Sequence, residues 1–334
     1  MGWKELGGVM AAVRILALML LAASPGAAQS RYEVVPEWPV LPEDRKLGLC
    51  AGIGVDAQNR VFVFHRSGRK WSNPFPKEPI SAPTVSVIDG ANGKLLSTWG
   101  ENRFIMPHGL TVDHEGNLWL TDVGLHQVFK CTPEGKVLLT LGEAGVAGAD
   151  QAHFNLPTDV AVLGDGSFYV SDGYKNTRVV KFSALGRFEF QWGVKGDGPG
   201  QFNLPHGITL DVQGRVIVCD RENERLQVFD AKGGFLHEWR GPHIGKPYGV
   251  ATAPDGRILA IDGGSPSLRP AERGKAVVLD AQGQVIDTFG AHGDQPGQFR
   301  LGHDIGIGPD GAVYVAEGTG ARVQKFVLRP GSAK

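Results

Sequence analysis

The sequence has 334 residues, of which 42% are hydrophobic and 21% are charged, with a formal net charge of −1. No segment resembles a basic nucleic-acid-binding patch, and because charges of both signs are interspersed, an electrostatic partner is neither required nor excluded. The 48 glycines predict a chain rich in turns, and the length suffices for one large domain.

Residues 1–28 have the composition of a secretory signal peptide. Lys4 and Arg14 precede the apolar run ILALMLLAA, and small residues follow in SPGAAQS, with a cleavage site after Ala28. The alternative is a transmembrane anchor, but that needs about 20 apolar residues, and this run is shorter. We therefore expect an exported protein, periplasmic or secreted, that has no stable membrane anchor.

From about residue 47 onward, one pattern of short strands recurs six times. Each unit has an apolar strand, a polar turn, a second apolar strand and, in most units, an acidic residue at its end. Third and fourth strand-like runs follow in most units, for example RLQVFDA and FEFQWG. The paired first and second strands are, in chain order, GIGVDAQNRVFVFHR, GLTVDHEGNLWLTDV, DVAVLGDGSFYVSDG, GITLDVQGRVIVCDR, GVATAPDGRILAIDG and DIGIGPDGAVYVAEG.

Four strands in a repeat of roughly 40 to 60 residues are typical of a β-propeller blade. We predict an all-β, six-bladed β-propeller built from NHL-type repeats, and no helix after the signal peptide. The expected organisation is a signal peptide (1–28), an N-terminal extension (29–46), the propeller (47–329) and a C-terminal tail (330–334). We expect a monomer.

Three cysteines, Cys50, Cys131 and Cys219, are too few and odd in number for a disulfide framework. Cys131 and Cys219 lie in apolar runs, which predicts buried thiols that act as small hydrophobic side chains.

Histidine recurs at one position of the first strand in alternate units. In a closed ring of six blades, alternate blades lie about 120° apart, so three side chains at this register converge on one point of the axis. The six residues at this register are Ala51, His108, Thr158, His206, Tyr248 and His303.

Three imidazoles with an open fourth position are a common arrangement for catalytic zinc. The alternative is that the histidines fill the channel or form hydrogen bonds between blades. Their alternation favours a metal site, with zinc ahead of nickel, copper and iron.

Asp304 follows His303, whereas glycine follows the other two histidines. Neighbouring side chains on a strand face opposite ways. Asp304 therefore either accepts a hydrogen bond within its blade or joins backbone carbonyls in a calcium site near the axis. The sequence leaves both possibilities open.

The ends of the second strands carry a recurring acid, which we interpret as a group that stabilises a turn. These residues are Asp122, Asp172, Asp220, Asp262 and Glu317, with His65 in unit one.

At the position after this acid, Arg66 and Arg221 stand where small residues predominate. They belong to units one and four, opposite each other in the ring, and their planar guanidinium groups suit an anionic substrate, such as a carboxylate. Tyr174 falls at the same mouth of the channel, either as a packed amphipathic side chain or as a catalytic base.

Several segments together resemble the peptidyl-α-hydroxyglycine α-amidating lyases. They are VFVFHRSGRKW, MPHGLTVD, LHQVFK, DQAHFNLPTDVAV, SDGYKNTR, GQFNLPHGITL, DRENERLQVF and GHDIG, and the likeness runs from about Leu47 to Val327. The resemblance implies a six-bladed propeller that cleaves the C–N bond of a peptide ending in α-hydroxyglycine, or a related N-(α-hydroxyalkyl) amide, to an amide and glyoxylate.

The resemblance also implies roles for individual residues. Zinc ligands would be His108, His206 and His303, and a structural calcium would be bound by Asp304 and the backbone carbonyls of Ile53 and Leu110. Tyr174 would be the base, with Arg66 as its electrostatic partner and Arg221 as a second active-site arginine.

Four positions depart from the pattern of the family. Asn155 and Lys175 stand where the animal members are expected to carry cysteines, and Leu301 and Gly302 replace an expected methionine and proline. These changes concern the rim of the site and hence the identity of the substrate.

Two alternative functions are considered. One is a non-catalytic NHL propeller that binds a periplasmic protein or glycan. The other is a lactonase-like hydrolase, but such enzymes generally bind calcium through carboxylates and asparagines, which three histidines on the axis fit poorly.

Overall fold

The computed structural model describes Met1 and residues 30–264 and 274–329, and it confirms the predicted all-β, six-bladed propeller. The predicted signal peptide, apart from Met1, and the predicted tail at 330–334 lie outside the described residues. The described part includes no helix with the length and apolar character needed to cross a membrane.

The chain begins with strand β1 (Tyr32–Val35), which belongs to the last blade, and then builds the blades in order as antiparallel four-stranded sheets. In blades one to five the innermost strand comes first and the outermost last. Blade one contains β2 (Cys50–Val55), β3 (Arg60–His65), β4 (Val85–Asp89) and β5 (Leu95–Trp99). Blade two contains β6 (Pro107–Val112), β7 (Leu118–Asp122), β8 (Gln127–Cys131) and β9 (Val137–Leu141). Blade three contains β10 (Asp159–Val162), β11 (Phe168–Asp172), β12 (Arg178–Phe182) and β13 (Phe188–Trp192).

The second half of the ring repeats this order, with one short 3-10 helix, Arg221–Asn223, among its described residues. Blade four contains β14 (Pro205–Leu210), β15 (Val216–Asp220), β16 (Arg225–Phe229) and β17 (Phe235–Arg240). Blade five contains β18 (Pro247–Thr252), β19 (Ile258–Asp262), β20 (Ala276–Leu279) and β21 (Val285–Phe289). Blade six contains β22 (Gly302–Ile307), β23 (Val313–Glu317) and β24 (Val323–Leu328), with β1 as its outer strand.

Burial changes from the axis to the rim of each blade. The second strands are packed between neighbouring blades, and every residue of β7, β11 and β15 is buried. The outer strand β13, FEFQW, alternates between half-buried and exposed residues because one of its faces meets solvent. This packing leaves the first strands to line the axis of the ring.

The ring is closed by β1, which pairs antiparallel with β24 from Tyr32↔Leu328 to Val35↔Lys325. Tyr32 is buried, and its ring lies 4.7 Å from that of Phe289 in blade five. The segment 29–46, which the sequence analysis placed outside the propeller, therefore contributes a strand to blade six. The pairing of β1 with β24 in one sheet closes the ring.

The acids at the ends of the second strands stabilise loops, as the sequence predicts. Asp122 accepts hydrogen bonds from the backbone N–H groups of Ile105, Met106, Gly124 and Leu125. Asp220 accepts one from Arg225 Nε at 2.6 Å. These contacts fix the loops at one mouth of the channel, where the candidate site lies.

Candidate active site

Three histidines converge on the axis from the first strands of blades two, four and six. His108 on β6, His206 on β14 and His303 on β22 are all buried. Their ring centroids lie 4.7 to 5.0 Å apart, and one potential ligand atom from each falls within 4.8 Å of the others. The structure thus brings together the three residues that the register singled out.

Each histidine is oriented by a hydrogen bond to the next blade. Nδ1 lies 2.7 Å from Thr158 O in His108, 2.6 Å from Tyr248 O in His206 and 2.7 Å from Ala51 O in His303. A carbonyl oxygen only accepts, so each Nδ1 carries the proton and each Nε2 is unprotonated, with a lone pair that can accept a hydrogen bond or bind a metal ion. The three acceptors are the other residues of the histidine register, so histidines and their carbonyl partners alternate around the ring.

All three imidazoles are held in the neutral form. Burial lowers the pKa of each one, and the pKa of His303 falls to about 3. The charges of Arg66 and Arg221 lower the pKa of His303 further. Neutral imidazoles with free Nε2 atoms are the form that coordinates a metal ion.

Tyr174 covers the histidine cluster on its open side. Its hydroxyl oxygen lies 3.0 Å from His108 Nε2 and 3.3 Å from His206 Nε2. The residue has a φ of 54°, in the left-handed region that non-glycine residues rarely occupy. This backbone conformation brings the phenol over the axis and is typical of functional positions.

Arg66 reaches the same point from the end of β3 in blade one. It is 5% exposed, and its Nε donates to Pro107 O at 2.9 Å, but its Nη2 is buried without a hydrogen-bond partner. An unpartnered buried guanidinium nitrogen is unfavourable unless an anion binds there. The structure therefore places a donor suited to a substrate carboxylate or oxyanion beside the histidines.

Arg221 lies on the other side of Tyr174, at the end of β15. Its guanidinium carbon is 4.5 Å from the ring centroid of Tyr248 and 5.4 Å from that of Tyr174. Burial opposes its charge, but Tyr174, Tyr248 and Glu222 outweigh burial and raise the pKa of Arg221. Glu222 accepts from Arg221 Nε at 3.0 Å and from Lys246 Nζ at 2.6 Å, which fixes the orientation of the guanidinium.

Two aromatic residues at the mouth were not recognised in the sequence. Trp71 is 42% exposed, and its ring lies 5.0 Å from Tyr174, 4.9 Å from Phe75 and 5.3 Å from the guanidinium carbon of Arg66. Both residues belong to the connection between β3 and β4, which is longer than the turns of the repeat. Trp71 ends the segment VFVFHRSGRKW, which contributes to the family resemblance, whereas Phe75 follows no repeat pattern and only the long insertion could have indicated a role for it.

A second polar centre lies further along the first strands. Asp304, Ile53 and Leu110 all line one cavity of about 260 Å³, to which the first strands of all six blades contribute. Asp304 accepts hydrogen bonds from the N–H groups of Ile53 at 2.9 Å and Ile305 at 2.8 Å. The three residues that the resemblance associates with calcium are therefore neighbours on the axis.

Asp159 is the acidic residue that sequence reasoning missed. It occupies the register of Asp304, one residue after the histidine position, in the opposite blade. Burial raises the pKa of Asp159 to about 7, and burial together with the charge of Asp159 raises the pKa of Asp304. Two buried carboxylates that disfavour each other's ionisation suit a cation between or beside them.

Two comparisons with known proteins support the fold. The NHL repeat model matches residues 154–182 and 202–229. A gluconolactonase from Xanthomonas campestris shares the fold, with a TM-score of 0.58 and 14% identity over 89% of this chain and 90% of that one.

Sequence identity to several curated proteins is higher than to this gluconolactonase. Peptidyl-glycine alpha-amidating monooxygenase B from Xenopus laevis is 38% identical over 87% of this chain, which spans 35% of that protein. Peptidyl-alpha-hydroxyglycine alpha-amidating lyase 2 from Drosophila melanogaster is 33% identical over 91% of this chain and 77% of that protein. Because this similarity covers most of both the chain and the insect protein, the chain belongs to the peptidyl-alpha-hydroxyglycine alpha-amidating lyase family.

Proposed function

We propose that the protein is a zinc-dependent lyase that cleaves the C–N bond of a peptide ending in α-hydroxyglycine, or of a related N-(α-hydroxyalkyl) amide. The products would be the amide and glyoxylate. The observation that carries the proposal is the convergence of three neutral histidine Nε2 atoms beside Tyr174 and the unpartnered Nη2 of Arg66.

The donor set fits zinc. His108, His206 and His303 each offer an unprotonated Nε2, and each has its Nδ1 proton fixed on a backbone carbonyl, which is the usual support of a metal-bound histidine. Zinc bound there would supply a positive centre that lowers the energy of negative charge developing on a substrate oxygen.

The arginines would bind the carboxylate of the substrate. Arg66 has one buried donor to offer. Arg221 lies on the opposite side of the ring, and its neighbour Glu222 holds its guanidinium in place. Two fixed cations orient the hydroxyglycine so that its hydroxyl group points at Tyr174, which places the reacting atoms together before the chemical step.

Tyr174 would transfer the proton. Its oxygen, as phenolate, accepts the proton of the α-hydroxyl group, and the electron pair left on that oxygen forms the aldehyde of glyoxylate as the C–N bond breaks. The amide nitrogen then takes that proton back from the Tyr174 phenol and leaves as the primary amide, which restores the phenolate. Arg66 would be the electrostatic partner of the phenol, and the guanidinium carbon of Arg221 lies 5.4 Å from the centroid of its ring.

We propose a structural calcium at the second centre, bound by Asp304 and the carbonyls of Ile53 and Leu110, with Asp159 as an additional carboxylate. Calcium takes oxygen ligands, and a divalent cation would offset the repulsion between the two buried acids. We also propose that residues 1–28 direct the export of the protein.

The direct test is glyoxylate release. The purified protein, loaded with zinc, is incubated with N-acetyl-α-hydroxyglycine, and glyoxylate and acetamide are quantified against the slow spontaneous reaction. The proposal predicts equimolar products at a rate proportional to enzyme concentration. A zinc-loaded protein that releases no glyoxylate would refute it and favour a propeller with a binding function.

A further inference from the structure

A cleft of about 570 Å³ opens beside the candidate active site, between the loop of Phe75 and blades two and three. This volume is within the range of small-ligand sites, about 300–1,000 Å³. Its apolar wall is formed by Phe75, Ile105, Leu125 and Leu156. Ile105 and Leu156 are buried, whereas Phe75 and Leu125 are only partly buried and remain accessible from the cleft.

The cleft continues from the catalytic centre along a row of aromatic rings. Tyr174 lies 5.0 Å from Trp71, and Trp71 lies 4.9 Å from Phe75, which lines the cleft. Tyr174 also packs on the same apolar cluster as Phe75 and Leu125. A ligand with its reacting end at Tyr174 therefore has a continuous apolar surface leading into this cleft.

The charged lining of the cleft is cationic. Lys77 and Lys175 both line it and are exposed, and neither ammonium group forms an ion pair with a described residue. No carboxylate is among the described residues that line it. Glu143 lies close by in sequence, but its side chain extends to His153 at 3.7 Å.

We propose that this cleft binds the part of the peptide substrate that precedes the hydroxyglycine, and that it selects an apolar residue followed upstream by an acidic one. This inference rests on the proposed function, because Tyr174 fixes where the hydroxyglycine lies. The apolar side chain contacts Phe75 and Leu125, and the acidic group lies between Lys77 and Lys175. The substrate class is then an anionic peptide with an apolar penultimate side chain.

The test uses non-reacting peptides that end in glycine and therefore lack the hydroxyl group. N-acetyl-Glu-Phe-Gly is compared with N-acetyl-Glu-Gly-Gly and N-acetyl-Lys-Phe-Gly by calorimetric titration of the zinc-loaded protein. Burial of the phenyl group predicts about tenfold tighter binding than the glycine peptide. The glutamate peptide is expected to bind about threefold more tightly than the lysine peptide, as for a solvent-exposed ion pair.

Two variants test the assigned contacts. For each variant we compare the ratio of the dissociation constants of two peptides, because a general loss of binding affects both peptides equally and cancels in the ratio. Phe75→Ala is expected to abolish most of the preference for phenylalanine. Lys175→Glu is expected to reverse the preference for glutamate, whereas Lys232→Glu, an exposed lysine in blade four, leaves it intact. Equal binding of the three peptides, absence of binding, or the same reversal in Lys232→Glu would overturn the proposal.

Glyoxylate release from N-acetyl-α-hydroxyglycine, which is too short to fill the cleft, separates this inference from the proposed function. Release without discrimination among the peptides overturns the cleft assignment alone. Discrimination without release overturns the lyase chemistry and leaves a peptide-binding cleft.

Discussion

At the scale of single residues, Tyr174 and its neighbours connect the fold to the proposed chemistry. The phenol contacts two histidines and lies between two arginines, and its left-handed backbone holds it over the axis. Such a residue is poorly explained by packing alone, because its oxygen points into a polar centre rather than to solvent.

Replacing Tyr174 by phenylalanine tests its role as the base. Tyr174→Phe retains the ring packing against Trp71 and leaves the three histidines intact, so zinc content should not change. Loss of the proton acceptor predicts that kcat falls about 100-fold or more. Steady-state glyoxylate release and zinc analysis on the same preparation measure both quantities, and an unchanged kcat would remove the phenol from the mechanism.

Glu222 is a positioning residue that acts through Arg221. Glu222→Ala removes a charged hydrogen-bond partner of the guanidinium, which predicts about a tenfold higher KM and a smaller change in kcat. Glu222→Gln keeps an acceptor and should recover part of the loss. The exposed Glu189→Ala serves as the control, and an equal effect in that control would count against the assignment.

At the scale of elements, the closing strand β1 is a feature that sequence analysis overlooked. Its four residues, YEVV, stand alone, without the turn and second strand that mark a repeat. In the structure β1 supplies the fourth strand of blade six, next to β24. Pairing over such a sequence distance is not visible in a local pattern.

The contribution of β1 to stability is open to direct measurement. Tyr32 is 4% exposed, so Tyr32→Ala leaves a cavity beside Phe289 and should lower the free energy of unfolding by about 3 kcal/mol. Leu185→Ala, at a side chain that is 74% exposed, should change it by less than about 0.5 kcal/mol. Denaturant unfolding of both variants decides the matter, and similar values would mean that β1 does not hold the ring closed.

The sequence predicted the histidine cluster more completely than the second centre. The register of His108, His206 and His303 follows from repeat geometry, because equivalent positions of a closed ring must face the axis. Asp159 obeys the same rule at the register of Asp304, and comparing that position around the ring would have found it. The contacts of Trp71 could not be predicted, because the long loop between β3 and β4 follows no repeat.

At the scale of the whole molecule, the two centres on the axis are built from residues of all six blades. The histidines connect each of three blades to the next through their Nδ1 protons, and Asp159 and Asp304 add further hydrogen bonds between blades. Metal ions bound at these points would therefore stabilise the ring as well as supply chemistry.

Calcium binding should be visible as a pH-dependent stabilisation. Burial raises the pKa of Asp159 to about 7, so below that pH a proton must leave before calcium gains this ligand, and above it the carboxylate is already ionised. Added calcium should therefore raise the Tm more above pH 7 than below it. Scanning calorimetry of the wild type and Asp304→Asn, with the variant expected to show little response, checks this. Equal responses in both proteins would contradict the proposed site.

Lyase activity should depend on one zinc ion bound by the histidine cluster. The most direct measurement is to titrate zinc into metal-depleted protein while following glyoxylate release from N-acetyl-α-hydroxyglycine, with His206→Ala in parallel. We predict that activity rises linearly to a plateau at one zinc per chain in the wild type, and that the variant remains folded without activity. Full activity in the metal-depleted protein, or in His206→Ala, would rule out a zinc-dependent reaction at this cluster.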